Sequence, residues 1–265
     1  MAHPATDIEI REQTPDRLAL AVEIMNASMP ADAHMTLEEA QIEDGLHRPE
    51  EPPLRLLAWV GDQAVATGYA GRNVFSSSGR FRIGLRVRHE FRRKGIATAL
   101  YERLVPYARD HGAHTLTAGV HEHNLPLVEA WLEREGYREV ERMRPSELRL
   151  DDMDFARFAG AEERIAADSI VLTTLAEEDN EANRRKLWEL SNLTRHDVPH
   201  DVIEDQPFEI FTDLLDRPEA LPGCLVIARQ GDRYVGFSLL VHQTPERALT
   251  GMTGVHRDFR NRGIA

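Results

Sequence analysis

The run Arg92-Arg-Lys-Gly-Ile-Ala97 is the first place where residue types and spacing could do chemistry. It follows an alternating, strand-like segment at residues 81–87 and precedes a helical pattern that starts near Thr98. Gly95 permits a sharp turn. The first amides of a helix lack internal acceptors and carry the positive end of the helix dipole. With three basic side chains beside them, these amides predict an anion site suited to a pyrophosphate.

Two other phosphate-binding motifs are absent from the sequence. A P-loop requires G-x-x-x-x-G-K-[ST], and no such run occurs. The dinucleotide-binding pattern G-x-G-x-x-G is also missing. The alternative to an anion site is therefore an ordinary basic turn between a strand and a helix.

The same run occurs a second time in the chain. Val87–Ala97 reads VRHEFRRKGIA and Val255–Ala265 reads VHRDFRNRGIA, with Val, Phe, Arg, Gly, Ile and Ala at matching positions. Each copy follows a hairpin pattern and an alternating strand pattern. The repeat indicates a duplicated unit. The second copy reaches Ala265 inside its own loop, so we expect the parent chain to continue for about fifty residues.

These motifs resemble the acetyl-CoA signature of the GNAT N-acetyltransferase superfamily, R-x-x-G-x-A after a strand that ends in valine. Residues 7–150 follow the element order of that family, and 170–265 follow its first half. The resemblance implies acetyl transfer from acetyl-CoA, as co-substrate, to a primary amine of a small molecule or peptide. It assigns the CoA pyrophosphate to the backbone of the loop, at Arg92, Arg93, Lys94, Gly95, Ile96, Ala97 and Thr98. It assigns pantetheine to the preceding strand, at Leu85 and Val87. A further CoA contact is assigned to Asn124, at the start of a later helix.

The residues that would move protons are less clear from the sequence. The family often places a tyrosine in the late helix, where this chain has Leu132, and a glutamate on the strand where it has Arg82 and Arg86. Amine attack needs a base, because only the free amine is nucleophilic. The nearest candidates follow the next strand: His121, Glu122 and His123. The competing interpretation is a polar strand end, and a metal site is not expected because no third ligand is evident.

The surrounding pattern predicts an α/β (α+β) fold in the order β-α-α-β-β-β-α-β-α-β-β, with closing strands over 137–150. We expect two GNAT-like domains, each with a mixed, mostly antiparallel sheet flanked by helices, the second truncated. Their predicted bounds are 1–150 and 170–265, with a connecting helix at 151–169.

Composition excludes several function classes. The 265 residues carry a net charge of −13, which disfavours sequence-independent nucleic-acid binding. The apolar runs are too short to cross a membrane, and the N-terminus has no hydrophobic stretch. One cysteine fits a reducing, cytoplasmic setting. The alternative functions are a non-catalytic acyl-CoA-binding or regulatory protein with a degenerate site, and a dimerisation scaffold such as a homodimer.

Overall fold

The structure is a computed structural model that describes two compact units. These units comprise residues Met1–Glu139 and Val140–Ala265. The described residues are 8–31, 34–45, 47, 51–72, 79–144, 146–198, 204–217, 220–244 and 247–265. Among them, no helix is long and apolar enough to cross a membrane. The domain bounds predicted from the sequence remain predictions.

Unit 1 is built on a five-stranded mixed sheet. Its strands pair in sequence order and are β1 (Ile8–Glu12), β2 (Leu54–Val60), β3 (Gln63–Gly71), β4 (Arg80–Val87) and β5 (Thr115–Thr117). The first three pairings are antiparallel, and β4 pairs with β5 in parallel. The mixed, mostly antiparallel sheet predicted for this region is confirmed.

Four α-helices accompany this sheet: α1 (Leu18–Asn26), α2 (Leu37–Asp44), α3 (Ile96–Asp110) and α4 (Leu125–Arg134). The start of α2 follows the expected capping box. The Glu39 amide donates to Thr36 Oγ1 at 3.1 Å, and the Glu39 carboxylate accepts from the Thr36 amide at 2.6 Å. This exchange satisfies two donors that the helix itself leaves unpaired.

Helices cover both faces of the unit 1 sheet. Leu100 and Leu104 of α3 are fully buried against β2, β3 and β4. On the opposite face, Ile24 of α1 packs with Leu57 of β2. Gly68 of β3 lets α3 approach closely, because a Cβ there would lie 3.1 Å from the Leu104 side chain. Packing in the core therefore fixes the distance of α3 from the sheet and the direction of its axis. These two in turn fix the position of its first turn.

Unit 2 contains a four-stranded antiparallel sheet. Its strands, in spatial order, are β6 (Ile170–Thr174), β7 (Ala220–Gln230), β8 (Arg233–Thr244) and β9 (Arg247–Val255). The α-helices of this unit are α5 (Ala161–Ala166), α6 (Leu175–Glu178), α7 (Glu181–Arg195) and α8 (Phe208–Leu215). Leu187 and Leu190 of α7 share a core with Phe211 of α8 and Phe237 of β8.

Two predictions for the middle of the chain are wrong. The described residues of 137–150 contain no strand, although closing strands were expected there. The connecting helix expected at 151–169 is three short helical pieces, at Leu150–Asp152, Phe155–Phe158 and Ala161–Ala166. Alternating apolar residues make a strand only when a neighbouring edge accepts their hydrogen bonds. Val140 and Met143 find no such edge and are 73% and 81% exposed.

We expect Leu100→Ala to destabilise unit 1 by about 2–5 kcal/mol, because it empties a fully buried position between helix and sheet. Leu127→Ala is the matched control, since Leu127 of α4 is 51% exposed. Its cost should stay within about 0.5 kcal/mol. Chemical denaturation of both variants measures this difference. Equal losses in the two variants would contradict the assignment of the core.

Candidate functional site

The loop between β4 and α3 has a tightly specified backbone. A 3-10 turn at His89–Phe91 follows β4. The guanidinium of Arg92 then reaches back, and its Nε donates to the Val87 carbonyl at 3.1 Å. Two left-handed residues complete the turn, Arg93 at φ 63° and Gly95 at φ 82°. A non-glycine residue in this region is strained, so the loop holds a conformation that the surrounding contacts impose.

This conformation leaves a row of backbone amides unpaired. Within the described part of the chain, no backbone acceptor bonds the amides of residues 93–98, and the first α3 bond runs from the Ala99 amide to the Gly95 carbonyl at 3.0 Å. The Arg93, Lys94 and Gly95 residues are exposed, whereas the Ile96 side chain is buried in the core. These amides lie at the positive end of the dipole of a fifteen-residue helix, and three of them belong to exposed residues.

The neighbouring edge of β4 is open. Strand β5 pairs with β4 only at Arg80, Phe81 and Arg82. Beyond that point β4 continues to Val87 with no partner on this side among the described residues. Leu85 and Val87 pack toward α3 and pair across the other edge with Gly68 and Ala66. The free edge offers sheet-type hydrogen bonds to an extended ligand that approaches beside the loop.

The second copy of the motif has the same loop geometry in unit 2. Arg260 Nε donates to the Val255 carbonyl at 3.1 Å, after a 3-10 turn at Arg257–Phe259. Asn261 and Gly263 take left-handed φ values of 63° and 74°. Each loop also follows a hairpin with an irregular register, at Ala58/Trp59 and at Ala228/Arg229. Similar sequences thus produce similar turns in both units.

The three residues expected to act as bases lie after β5. His121, Glu122 and His123 are exposed, and the last two belong to the 3-10 turn Glu122–Asn124. The His121 and His123 rings are 5.7 Å apart between centroids. Burial lowers the pKa of His121, and the charges of Arg86 and His123 lower it further. The structure thus brings His121 near β4.

Asn124 lies at the junction of the 3-10 turn and α4. Its side chain is half-buried, and its amide donates to the His121 carbonyl at 2.9 Å. The side chain makes no capping hydrogen bond to α4. The backbone amide of Asn124 therefore links the position of His121 to the start of this helix. Its side-chain carboxamide is available to a ligand.

The position expected for an acid, Leu132, is half-buried and apolar. At the end of α4 the chain turns back through Gly136, and the Tyr137 amide donates to the Leu132 carbonyl at 2.9 Å. The Tyr101 hydroxyl of α3 donates to the Tyr137 hydroxyl at 3.4 Å. Burial, followed by the Tyr101 hydrogen bond, raises the pKa of Tyr137. Sequence reasoning missed this protonated phenol.

A second missed residue is Tyr69 of β3, which shares the polar face of the sheet with Arg82 and Arg86 of β4. Tyr69 lies opposite Gly84. Burial raises the pKa of Tyr69 to about 12, while the nearby Arg55 and Arg82 guanidinium groups oppose the increase. Burial lowers the pKa of Arg86, and the charge of Arg82 lowers it further. Strand alternation puts these residues on one face, but only the pairing register shows that they are neighbours.

Strands β2 to β5, the loop before α3 and the open edge of β4 all lie in one region that matches a protein family. Residues 19–137 match the acetyltransferase (GNAT) family. A comparison with curated protein sequences finds no match.

Two solved structures share the fold over nearly the whole chain. A GCN5-related N-acetyltransferase from Sphaerobacter thermophilus is 18% identical with a TM-score of 0.65, and the match covers 97% of this chain and 78% of that one. The second is a GCN5-related glucosamine N-acetyltransferase region in a fungal multi-domain GH3 β-N-acetylglucosaminidase. It is 14% identical with a TM-score of 0.70, and the match covers 99% of this chain and 33% of that one. This chain therefore spans about a third of the fungal protein.

A matched pair of glycines tests the loop backbone. Gly95 and Gly112 lie before and after α3, both have φ 82°, and a Cβ at either position meets nothing within 4 Å. We expect Gly95→Ala and Gly112→Ala each to destabilise the protein by about 1 kcal/mol, because alanine is disfavoured in the left-handed region. Thermal and chemical denaturation measure both. An unchanged or increased stability for Gly95→Ala would show that the loop relaxes to another conformation.

Proposed function

We propose that unit 1 binds acetyl-CoA and transfers its acetyl group to a primary amine of a small molecule or peptide. The observation that carries this proposal is the row of unpaired amides at residues 93–98 beside the open edge of β4. A pyrophosphate satisfies such amides, and the pantetheine amide groups satisfy an open strand edge. The GNAT match over residues 19–137 supports the same conclusion.

The residues present fit this cofactor. Arg93, Lys94 and Gly95 leave the loop open to solvent, and a Cβ at Gly95 would meet no atom within 4 Å. Ile96, Ala97 and Thr98 would contribute amides from the first turn of α3. Arg92 holds the loop by its bond to Val87, so its proposed role is partly structural. Leu85, Val87 and Asn124 would line the route from the loop to the reacting group.

The chain's own residues then move protons and hold charge. Acetyl-CoA supplies the acetyl thioester; a C–N bond forms and the C–S bond breaks. His121 in its neutral form accepts a proton from the acceptor ammonium, directly or through water, with His123 and Glu122 as the alternative acceptors. A backbone amide of β4 stabilises the oxygen that becomes negative. The departing thiolate takes a proton, for which Tyr137 is a candidate because its phenol stays protonated.

A second candidate function is a non-catalytic acyl-CoA-binding or regulatory domain. Leu132 favours it, since an apolar side chain stands where a proton donor was expected. The polar face of β4 favours it as well, because it carries Arg82 and Arg86 and no carboxylate. This alternative keeps acetyl-CoA binding and abolishes amine-dependent thiol release.

We also propose that unit 2 is a second copy of the fold of unit 1. The matching loop angles and the paired guanidinium–carbonyl bonds support a duplicated GNAT unit in tandem. Under this proposal the acetyl-CoA site lies in unit 1, because α3 follows the unit 1 loop and its first turn supplies amides to the site.

Measuring acetyl-CoA affinity in the two glycine variants distinguishes a role of the loop in ligand binding from its effect on protein stability. Gly95→Ala should raise the Kd for acetyl-CoA about tenfold or more, because it disturbs the amides that hold the pyrophosphate. Gly112→Ala has the same backbone strain far from the loop and should bind as the parent chain does. Isothermal calorimetry on the full chain compares the three proteins. Equal affinities throughout would remove the pyrophosphate from this loop.

The pH dependence of acetyl transfer tests the proposed base. His121 acts when neutral, and its lowered pKa means that kcat/KM should rise with pH and level off with a midpoint below the ordinary histidine range. His121→Ala should lower kcat/KM roughly a hundredfold and remove that acid limb. His111→Ala, on an exposed histidine after α3, is the control. An unchanged rate and profile in His121→Ala would reject His121 as the base.

A further inference from the structure

Two arginines on β4 have no anionic partner in the described structure. Arg82 and Arg86 lie on the same face of the strand, with Gly84 between them. Neither makes an ion pair with a described carboxylate, and the one side-chain bond of Arg86 runs from Nη1 to the Leu85 carbonyl at 2.9 Å. A guanidinium has five N–H donors, so most donors of both groups have no partner among the described residues.

Other arginines near the same strands are paired. Arg55 of β2 pairs with Asp44, Arg72 after β3 pairs with Glu51, and Arg88 after β4 pairs with Glu23. The whole chain has 45 acidic residues against 32 Lys and Arg. Carboxylates are therefore abundant, and Glu43 and Asp44 are close enough to the neighbouring Tyr69 to affect its pKa, yet no described ion pair joins a carboxylate to Arg82 or Arg86.

The two arginines border the gap where β4 and β5 separate. Arg82 lies in the last β4–β5 pair, opposite Thr117, and its Nη2 lies 4.0 Å from where a Cβ at Gly119 would stand. Arg86 lies further along β4, near enough to His121 for its charge to lower the pKa of that imidazole. Arg82, Arg86 and Gly119 thus line one feature, here named the β4 cleft.

The β4 cleft opens on the sheet face opposite α3. Arg86 is directly across from Thr67, and Thr67 is across from Leu57, which packs on the α1 side of the sheet. The loop that carries the unpaired amides belongs to α3. A group bound in the cleft therefore approaches β4 from the other face and does not compete for those amides.

Leaving these cations unpaired has a cost. Arg86 is half-buried, and the charge of Arg82 acts on it in addition to the loss of solvent. Two like charges in a partly desolvated cleft destabilise each other, and an oxyanion between them removes that repulsion. Guanidinium groups bind carboxylate and phosphate oxygens through paired N–H donors. The cleft therefore has the charge and the donors for an oxyanion.

We propose that the β4 cleft binds an oxyanion group of the amine acceptor through Arg82 and Arg86. This inference rests on the proposed acetyl transfer and narrows its acceptor to amines that also carry a carboxylate or a phosphate. His121 lies beside the anion subsite, so an acceptor anchored there presents its amine to the proposed base. Uncharged amines and polyamines lack the group that the cleft recognises.

The test uses acceptors in matched pairs on the full chain. The pairs are β-alanine with β-alaninamide, glycylglycine with glycylglycinamide, and O-phosphoethanolamine with ethanolamine. Thiol release gives kcat and KM, and calorimetry in the presence of CoA gives binding. The anionic member of a pair should be favoured tenfold or more in kcat/KM or in affinity. The carboxylate and phosphate pairs identify which oxyanion the cleft prefers.

Variants assign any preference to the cleft. Arg82→Gln and Arg86→Gln should raise KM for the anionic acceptor tenfold or more and leave the acetyl-CoA Kd unchanged, while Arg86→Lys restores part of the preference. Arg109→Gln, on an exposed arginine near the end of α3, should change nothing. Thermal melts verify that each variant folds.

Distinct results separate this inference from the proposed function. If acetyl-CoA binds but no anionic acceptor is favoured in rate or in affinity, the cleft inference is wrong and the proposed function is untouched. A preference that survives both Gln variants also overturns it. A loss of acetyl-CoA affinity in those variants would mean that the arginines hold the cofactor instead. Absence of acetyl-CoA binding in the parent chain would reject the proposed function itself.

Discussion

Six consecutive backbone amides, those of residues 93–98, have no backbone acceptor in the described part of the chain, and the candidate site of unit 1 depends on them. They lack acceptors because α3 begins directly after its N-cap residue Gly95, and because the Arg92 guanidinium fixes the preceding turn by its bond to the Val87 carbonyl. Leu100 and Leu104 hold the helix against the sheet, so the amides keep their direction. Burial in the core thus positions a polar site at its edge, and the strained Arg93 backbone is maintained by those contacts.

The arrangement of β4 follows from the same constraint. Strand β4 extends to Val87, where the loop begins, but β5 pairs with β4 only as far as Arg82. The sheet therefore opens beside the loop, and one face of the opening carries Arg82 and Arg86. Strand β4 thus has an open backbone edge and, on one face, a pair of cations. In the proposed function the edge binds acetyl-CoA and the cations bind the acceptor, so both substrates meet at β4.

Much of the fold could be predicted from local pattern. Alternation identified β4, the hairpin turn at Gly61 separated β2 from β3, and Thr36 with Glu39 marked the start of α2. The loop at Gly95 was also readable, since its residue types fit the backbone they adopt. Alternation wrongly predicted closing strands over 137–150, because strand formation depends on a partner edge that sequence alternation does not reveal.

The proposed catalytic groups were harder to predict because their positions depend on register. His121 was visible as a titratable residue after a strand, but its proximity to Arg86 comes from the short parallel pairing of β4 with β5. The Tyr137 amide bonds to the Leu132 carbonyl after a turn at Gly136, and its phenol lies against the Tyr101 hydroxyl of α3. Amide chemical shifts of the isotopically labelled full chain, recorded during titration with acetyl-CoA, test the central claim most directly. We expect the largest changes at residues 93–98 and along 83–87, and changes confined to other segments would contradict acetyl-CoA binding at this loop.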